Sequence, residues 1–448
     1  MKKMFASFRE FLKYPSVIVS LAMILCLLGI SIYALVVYPY AEATRLWRGG
    51  EEVWYMNPRQ VPPAWFNLFM ARKQPVSFVL KTTDLESVTK EVKLDAQGGS
   101  KTVMTYSFDY AYDDIPQEII LYFTSAYQNK QPYAEVIWIT PDNRKIRLTN
   151  LALIGRETYR FSQDTRLVRL LKGKPVMEGL FLEPTSEVIQ PVKGTYKVVV
   201  TAFTFEKDST IDAELVMHGQ LYGLAGTDHL RRDLMIALLW GTPIALAFGL
   251  LAALGTTLTT IFIAAIGAWY GGWLEELIQR ITEINLVLPF LPILLMIGSL
   301  FSRSIWLILG ATILLNIFGP GIKTYRAVFM QIMQSPYIEA ARSYGASDVR
   351  IILKYMVPRV IPTLVPQLVS LVPTYVFLEA TLAVLGLGDP ILPTWGKLIN
   401  DAFTNSALYD GLYYWVLEPA ALLMTTGLAF ALLGFALDRV FNPRLREI

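Results

Sequence analysis

The sequence predicts an α-helical membrane protein of six spans that carries one inserted antiparallel β domain. Three observations support this fold class. First, 54% of the 448 residues are hydrophobic and only 17% are charged, whereas soluble domains contain about 25% charged residues. Second, long uncharged runs lie near both ends of the chain, and about 20 apolar residues suffice for one helical crossing of a bilayer. Third, residues 40–233 contain charges, prolines and alternating runs that are typical of strands.

The first span is predicted at residues 17–38, after a cytoplasmic N-terminus at residues 1–16. The run Val17–Val37 has no charged residue, and as a helix it would be about 30 Å long, the thickness of one hydrocarbon core. A cleaved signal peptide is the alternative, because Ala41-Glu42-Ala43 resembles a cleavage site. The apolar region of a signal peptide is about 7–15 residues long, so the longer run favours a retained span.

Residues 39–225 are predicted to be extracytoplasmic, with an antiparallel β domain of the sandwich type at about residues 75–215. In Tyr106–Tyr112 every second residue is aromatic, which is the period of a strand with one buried face. Pro141–Arg144 has the composition of a turn. Further runs of β-branched and aromatic residues occur at Glu118–Phe123, Tyr133–Thr140, Lys145–Thr149 and Tyr196–Phe205. We expect the alternating aromatic residues to form the core of this domain.

Five further spans are predicted within residues 226–448. The uncharged run Leu234–Ala268 would be about 52 Å long as a helix, too long for one straight crossing. We therefore expect Gly241-Thr242-Pro243 to break this run into a short interfacial helix, Leu234–Trp240, and a span. The five spans are Ile244–Ala268, Ile284–Phe301, Ile305–Ile322, Ile361–Val384 and Pro419–Leu437.

The distribution of basic residues predicts the orientation of the spans. The loop 323–359 contains six Lys or Arg residues, whereas residues 385–413 contain one lysine and three aspartates. Lys and Arg are enriched in cytoplasmic loops. Six crossings place both termini and the loop 323–359 on the same side, which is therefore cytoplasmic. The β domain and residues 385–413 are then expected outside.

The cytoplasmic loop contains the segment with the most functional information. Residues 335–348 read SPYIEAARSYGASD, and we predict a helix over Pro336–Tyr344, because proline suits a first helical turn. Gly345 is suited to the left-handed residue that ends a helix. A second helix is predicted over Val349–Met356, ended by Pro358. The two small alanines of the first helix would allow another protein to approach closely.

This segment resembles the EAA loop of bacterial and archaeal ABC importer permeases, through Glu339-Ala340-Ala341 and Gly345. More narrowly, the chain resembles the second permease subunit of the dipeptide/oligopeptide/nickel ABC importer family. Three further signatures occur in the order found in that family. They are Gly226-Thr227-Asp228 with Arg232-Asp233, Leu385-Gly386-Leu387-Gly388 with Pro393-Thr394-Trp395-Gly396, and Asn442-Pro443-Arg444-Leu445-Arg446.

The sequence departs from the family pattern at four points. Arg231 stands where the family usually has glycine, Pro243 where it usually has arginine, and Asn442 where it usually has aspartate. The outer loop after the first span is also much shorter in the family. The resemblance therefore says nothing about the β domain.

The resemblance implies a type I importer permease that performs no catalysis itself. Its expected partners are a homologous second permease subunit, two ABC ATPase subunits that bind ATP and Mg, an extracytoplasmic solute-binding protein and the lipid bilayer. Glu339 is expected to fix the loop as a hydrogen-bond acceptor or ion-pair partner, and Gly345 to supply the turn. The residues expected to couple the permease to the ATPase are Pro336, Glu339, Ala340, Ala341, Arg342, Gly345, Ala346 and Ser347.

Polar groups within spans are costly and usually face a pathway or a partner helix. Asn316, Glu379 and, near the end of a span, Glu418 are the candidates of this kind. For Glu379 we favour pairing with a neighbouring helix over recognition of a substrate amine. The resemblance places Trp395 and Gly396 at the outer mouth of the pathway, and a half-buried outer helix explains these two residues equally well.

Several function classes are disfavoured by the sequence. It contains no G-x-x-x-x-G-K-[ST] motif, so ATP hydrolysis must come from another polypeptide. One cysteine and two separated histidines fit no zinc or iron–sulfur motif, and a net charge of +3 gives no electrostatic case for nucleic acid. We predict no cofactor and no metal on this chain.

The predicted function is import of short peptides as the permease subunit of an ABC importer at the cell membrane. The same type of importer for oligosaccharides is an alternative, and nickel is disfavoured because the chain has no His or Cys cluster. An alternative of another class is a membrane-anchored receptor or assembly protein with a β ectodomain. An ion-coupled carrier would require internal repeats, which the sequence does not clearly show.

Overall fold

The computed structural model describes residues 15–84, 86–94, 99–183 and 190–441, which form two compact units. A helical unit comprises residues 15–48 and 235–441, and a β unit comprises residues 49–234. The basic residues predicted before residue 15 and the C-terminal signature Asn442–Arg446 lie outside the described residues.

The described chain begins with two helices of the helical unit, α1 (Pro15–Val37) and α2 (Tyr40–Arg48). Helix α1 is long and apolar enough to cross a membrane. Its two buried serines donate hydrogen bonds to carbonyl oxygens of the same helix, Ser20 to Val17 at 3.0 Å and Ser31 to Leu27 at 2.9 Å. The helix predicted for the first span is therefore confirmed.

The β unit follows, and all of its described strand pairs are antiparallel. The elements of the β unit are α3 (Glu51–Trp54), β1 (Phe78–Leu80), β2 (Val88–Leu94), β3 (Ser100–Tyr110), β4 (Glu118–Ala126), β5 (Tyr133–Ile139), β6 (Lys145–Ala152), β7 (Arg156–Arg160), α4 (Thr165–Leu170), α5 (Val176–Phe181), β8 (Gly194–Thr204) and β9 (Thr210–His218). One sheet has the strand order β1-β9-β4-β7 and the other has the order β2-β3-β8-β5-β6.

The alternating aromatics of β3 face the core of the β unit, as predicted. Tyr106 and Tyr110 are buried, and Phe108 stacks on Tyr196 of β8 with 5.8 Å between ring centroids. Residues from both sheets join one apolar cluster that is centred on Trp138. The turn predicted between β5 and β6 is also present. Strands β1, β2 and β7 were not predicted, because they are short, polar or at a sheet edge. Strand β9 was not predicted either, although it is nine residues long and lies between β1 and β4.

The remaining helices belong to the helical unit. They are α6 (Leu234–Tyr270), α7 (Gly272–Val287), α8 (Phe290–Leu300), α9 (Ile305–Ile317), α10 (Gly321–Met333), α11 (Pro336–Ser343), α12 (Asp348–Ile351), α13 (Val357–Leu382), α14 (Trp395–Thr404) and α15 (Tyr414–Phe441). Two π-helical turns, Ile352–Met356 and Ala383–Leu387, flank α13. Within the described residues four helices can span a membrane, or up to six if each bent pair counts as one span.

The predicted break at Gly241-Thr242-Pro243 is wrong, because α6 is one helix of 37 residues with Pro243 inside it. Proline within a membrane helix is tolerated where neighbouring groups satisfy the backbone. Pro243 removes the donor to the Leu239 carbonyl oxygen. At the adjacent Leu238 carbonyl oxygen, the Thr242 hydroxyl and the Trp395 indole both donate, at 3.2 and 2.9 Å. Tertiary contacts therefore stabilise this turn.

Three other predicted helix boundaries also differ. The predicted span Ile284–Phe301 is interrupted before Pro289, where α7 and α8 meet at 82°, and Ile305–Ile322 is interrupted near Pro320, where α9 and α10 meet at 46°. Pro358 does not end a helix. It lies in the first turn of α13, where a missing N–H costs least, and the helix continues through the preceding π-helical turn.

We predict that the β unit loses stability in mild acid through His218. Burial, with a smaller contribution from the charge of Arg231, lowers the pKa of His218 from 6.5 to about 4. The neutral ring accordingly stabilises the fold above pH 6.5, and this contribution, up to about 3 kcal/mol, is lost as the pH falls towards 4. Thermal unfolding of the full chain, followed by intrinsic fluorescence between pH 4.5 and 8, measures the effect.

The matched variant is His218→Gln, because an amide can replace the contact between the His218 ring and the Met56 carbonyl oxygen, 3.1 Å. We expect the variant to have a flatter dependence of unfolding temperature on pH. An unchanged pH dependence would show that His218 is not the titrating group.

Candidate functional site

Helix α11 begins and ends as the sequence predicts. Pro336 occupies its first turn. At its end, the N–H groups of Gly345 and Ala346 donate to the carbonyl oxygens of Arg342 and Ala341, at 2.9 and 3.0 Å. This is the Schellman arrangement, and it requires a left-handed residue. Gly345 supplies it with φ = +75°, while the space around its Cα is open.

One side of α11 is anchored in an apolar cluster of the helical unit. Ile338 and Ala341 are 2% and 9% exposed, and they pack with residues of α6, α10 and the segment before α13, including Phe329 and Met356. The Arg342 guanidinium lies over the ring of Trp269 near the end of α6, 4.3 Å from its centroid. Helix α11 is therefore fixed to three neighbouring segments.

The other side of α11 is exposed. Tyr337, Glu339, Ala340 and Tyr344 lie on it, and Tyr344 is 91% exposed. Within the described residues the Glu339 carboxylate has neither an ion pair nor a hydrogen bond. We call these four residues the α11 surface.

The expectation that both alanines face another protein is wrong for Ala341. It lies about 100° around the helix from Ala340, which turns it into the cluster. Ala346 is half-buried and packs on the same cluster. Ser347 is exposed at the start of α12, where its carbonyl oxygen accepts from the Ile351 N–H at 2.9 Å.

Helix α10, which precedes α11 in the chain, forms an ion pair with α7 through Arg326 and Glu275. Lys323 of α10 also approaches Glu283 of α7, at 4.0 Å. Two basic residues that the sequence assigned to a loop are thus on a helix and are paired. The charge pattern alone does not show this pairing.

The signature at residues 226–233 forms a compact, hydrogen-bonded turn in the β unit. The buried Asp228 carboxylate accepts from the Arg232 guanidinium at 2.6 Å and from the backbone N–H groups of Leu230 and Arg232, each at 2.9 Å. Thr227 pairs with Asp233 in an antiparallel bridge. Gly226 adopts φ = +73°. A charge-assisted pair with its remaining acceptor sites satisfied can be buried at moderate cost.

The geometry explains why glycine would suit position 231. Arg231 has φ = +64°, a conformation that glycine adopts most readily. Two hydrogen bonds to Asn57 hold Arg231 in this conformation. The Asn57 side-chain amide donates to the Arg231 carbonyl oxygen at 3.1 Å, and the Arg231 guanidinium donates to the Asn57 carbonyl oxygen at 2.7 Å.

Three of the four candidate pathway residues lie together, where α13 meets α14. Trp395 is 1% exposed, and its indole bonds to α6 as described. Gly396 lies so close to α13 that a Cβ there would be 2.7 Å from the Ala380 Cα atom. Glu379 is 6% exposed, and its carboxyl group lies near the Thr394 side chain.

Asn316 lies apart from these three residues, near the bend between α9 and α10. Its side-chain amide donates to the Thr312 carbonyl oxygen of its own helix at 2.8 Å. The neighbouring Ile317 carbonyl oxygen accepts from the Thr260 hydroxyl of α6 at 2.9 Å.

The sequence analysis missed the role of Asp389, which it counted only as an outer-loop charge. This residue is 7% exposed. One carboxylate oxygen accepts from the Ile305 N–H at the start of α9, 3.0 Å, and the other accepts from Ile391 and Leu392, at 2.8 and 3.2 Å. An aspartate at a helix start is a strong cap. The sequence Gly388-Asp389-Pro390 indicates the turn but not the distant helix.

The signature glycines before Asp389 have separate roles. Gly386 takes φ = +92° within the π-helical turn. Gly388 packs closely, since a Cβ there would lie 3.2 Å from the Lys397 side chain. Within the described residues, no group of three or more His, Cys, Asp or Glu residues is placed to hold a metal ion.

The helical unit contains helices that are long and apolar enough to span a membrane and one short interhelical helix that is anchored along one side, which are features of a multi-pass membrane protein. Residues 257–447 match the family model described as binding-protein-dependent transport system inner membrane component. The chain belongs to this family.

Relatives within the family are transport permeases. The dipeptide transport system permease protein DppC of Bacillus subtilis is 28% identical over 298 residues, 66% of this chain and 89% of the relative. The glutathione transport system permease protein GsiD of Escherichia coli O157:H7 is 30% identical over 231 residues, 49% of this chain and 72% of the relative. The oligopeptide transport system permease protein OppC of B. subtilis is 26% identical over 223 residues, 50% and 72%.

We predict that Asp228→Asn destabilises the chain by about 3–5 kcal/mol, because the buried ion pair between Asp228 and Arg232 would be broken. Thermal unfolding in detergent measures the loss. The control is Asp410→Asn, at an exposed position, which should change stability by less than about 0.5 kcal/mol. Equal effects of the two substitutions would contradict a structural role for the pair.

Proposed function

We propose that this chain is the transmembrane permease subunit of an ATP-driven ABC importer and that it forms half of the translocation pathway for short peptides. Family membership and relatives named for dipeptide, glutathione and oligopeptide transport support the proposal. The observation that carries it is α11, a short helix with one face fixed to the bundle and the other exposed.

The α11 surface would bind a groove on an ATPase subunit. Movement of that subunit would push α11, and the cluster around Ile338 would pass the movement to α6, α10 and α13, since close-packed interiors transmit displacement. Glu339 and the exposed tyrosines would supply a hydrogen-bond acceptor and two aromatic contacts to the partner.

The remaining partners follow from the same mechanism. A homologous permease subunit would complete the pathway, and a solute-binding protein would deliver the peptide. Two ATPase subunits would bind ATP and Mg and perform the hydrolysis. This chain would change conformation by alternating access and would make or break no covalent bond.

The orientation follows the basic residues. Six crossings, with each bent pair as one span, would put both termini and α11 on the same side, and the basic residues favour the cytoplasm for that side. The β unit, as a sandwich of its two sheets, would then lie outside. The burial of Glu379 near Thr394 and the burial of Trp395 and Gly396 support a role in holding the outer ends of α13 and α14 together rather than direct contact with substrate.

The substitution Gly345→Val tests the coupling role. A β-branched residue is strained at φ = +75°, so the turn that fixes α11 should be disrupted. The complete complex, reconstituted in liposomes, would be assayed for peptide uptake and ATP hydrolysis. We expect uptake to fall about tenfold or more, equivalent to about 1.4 kcal/mol or more, while insertion of the chain is retained.

The matched control is Gly173→Val. Gly173 also has a positive φ, +82°, and open space around it, but it lies in the β unit. We expect this control to transport normally. Normal uptake by Gly345→Val, or uptake by the wild type without ATP, would refute the importer mechanism, and uptake of maltotriose in place of peptides would refute the substrate class.

A further inference from the structure

A polar cleft lies on the face of the four-stranded sheet that is turned away from the apolar core. Its cavity volume is about 1030 Å³. Alternate residues of β4 and β9 point to opposite faces, so Leu121 and Leu215 enter the core while Tyr122 and Glu214 line the cleft. Helix α3 and Tyr55, which follows it, form one wall. All of these residues belong to the β unit.

The strand register arranges the cleft residues in rows across the sheet. One row is Arg156–Thr124–Asp212, and the next is Thr158–Tyr122–Glu214. Neighbouring strands are 4.7–4.9 Å apart, so β7 and β9 on either side of β4 are separated by about 9.5 Å. The cleft therefore has two arginines and Glu157 on β7, which form its more basic edge, and two carboxylates on β9, which form its acidic edge, with polar residues between them and Glu52 on the α3 wall.

The basic edge is available for an anion. Arg156 and Arg160 are exposed on β7, and within the described residues neither guanidinium has an ion pair or a hydrogen bond. Guanidinium groups bind carboxylates with two parallel hydrogen bonds. This edge thus favours a carboxylate.

The acidic edge is partly neutralised but remains open. Asp212 accepts from the Thr82 hydroxyl at 2.7 Å and pairs with Lys90 at 3.1 Å. Glu214 approaches Lys81 only at 3.6 Å and keeps 28% of its side chain exposed. The free carboxylate oxygens favour a cationic group.

Two aromatic rings lie between the charged edges. Tyr55 and Tyr122 meet edge to face, with 4.7 Å between centroids, and the Tyr122 hydroxyl donates to the Tyr55 carbonyl oxygen at 3.1 Å. Tyr55 remains 38% exposed. A partly exposed aromatic pair offers a contact for an apolar side chain.

We propose that this cleft binds a short zwitterionic peptide, with its carboxylate at Arg156 and Arg160, its amino group at Asp212 and Glu214, and a central side chain against the two tyrosines. An extended peptide advances about 3.3–3.6 Å per residue, so a tripeptide matches the distance between the charged edges. The inference rests on the proposed function in one respect, which is that the zwitterionic ligand is taken to be a peptide. The charges and their spacing come from the β unit itself.

The test is isothermal titration calorimetry on the purified full chain in detergent, without ATPase subunits. The probes are Ala-Phe-Ala, its N-acetylated form, its C-terminal amide, and uncharged maltotriose. We expect Ala-Phe-Ala to bind, each neutralised peptide to bind about tenfold or more weakly, and maltotriose not to bind. The modified peptides test the wild-type protein, so this comparison does not depend on the folding of a variant.

The variant arm uses Arg156→Gln with Arg160→Gln, and Arg169→Gln as the control. Arg169 is exposed on α4 and outside the cleft. We expect the double variant to lose about tenfold or more in affinity for Ala-Phe-Ala and the control to bind as the wild type does.

Three results would overturn the proposal: no binding of Ala-Phe-Ala at millimolar concentration, equal affinity in the double variant, or preferential binding of maltotriose. None of them would affect the coupling role of α11, because the assay contains no ATPase. Conversely, normal uptake by Gly345→Val would leave the calorimetric result intact.

Discussion

The left-handed turn at Gly345 is the constraint on which the helical unit's candidate site depends. It reverses the chain so that Ile338 before the turn and Ile351 after it enter the same apolar cluster. The exposed face of α11 is thereby held rigidly against helices that are candidates to span the membrane. A flexible connection at this point would absorb a displacement instead of transmitting it.

The helical unit also depends on close contacts of α14 with the backbones of α6 and α13. Trp395 covers Gly241 of α6, where a Cβ would be 2.3 Å from the indole ring, and Gly396 lies directly on Ala380 of α13. Small residues at such positions allow helices to pack where the hydrophobic effect between them is weak. The buried Asp389 adds a polar connection from the same region to the start of α9. These contacts join α6, α9, α13 and α14.

In the β unit, the period of two along each strand produces both a core and a cleft. Odd-numbered residues of β4, such as Leu121, belong to the apolar cluster, and even-numbered residues, such as Tyr122 and Thr124, form the polar floor of the cleft. The mixed charges of the cleft come from different strands, Arg156 from β7 and Glu214 from β9. Only the antiparallel pairing brings them to one face.

The sequence by itself determined the features that depend on local chemistry and composition. Uncharged runs predicted the apolar helices, and the alternation around Tyr106 predicted a strand that faces the core. Pro336 and Gly345 predicted where α11 begins and ends. Each of these signals acts within a few residues, through burial, side-chain direction or allowed backbone angles.

Tertiary structure alone decided the features that depend on distant partners. Helix α6 continues through Pro243, and Trp395, far along the chain, contacts the turn that precedes this proline. Asp389 caps a helix that begins at Ile305, and Ala341 is buried while its neighbour Ala340 is exposed. The energy of a buried contact depends on which surfaces meet, and no local pattern specifies that for residues remote in sequence.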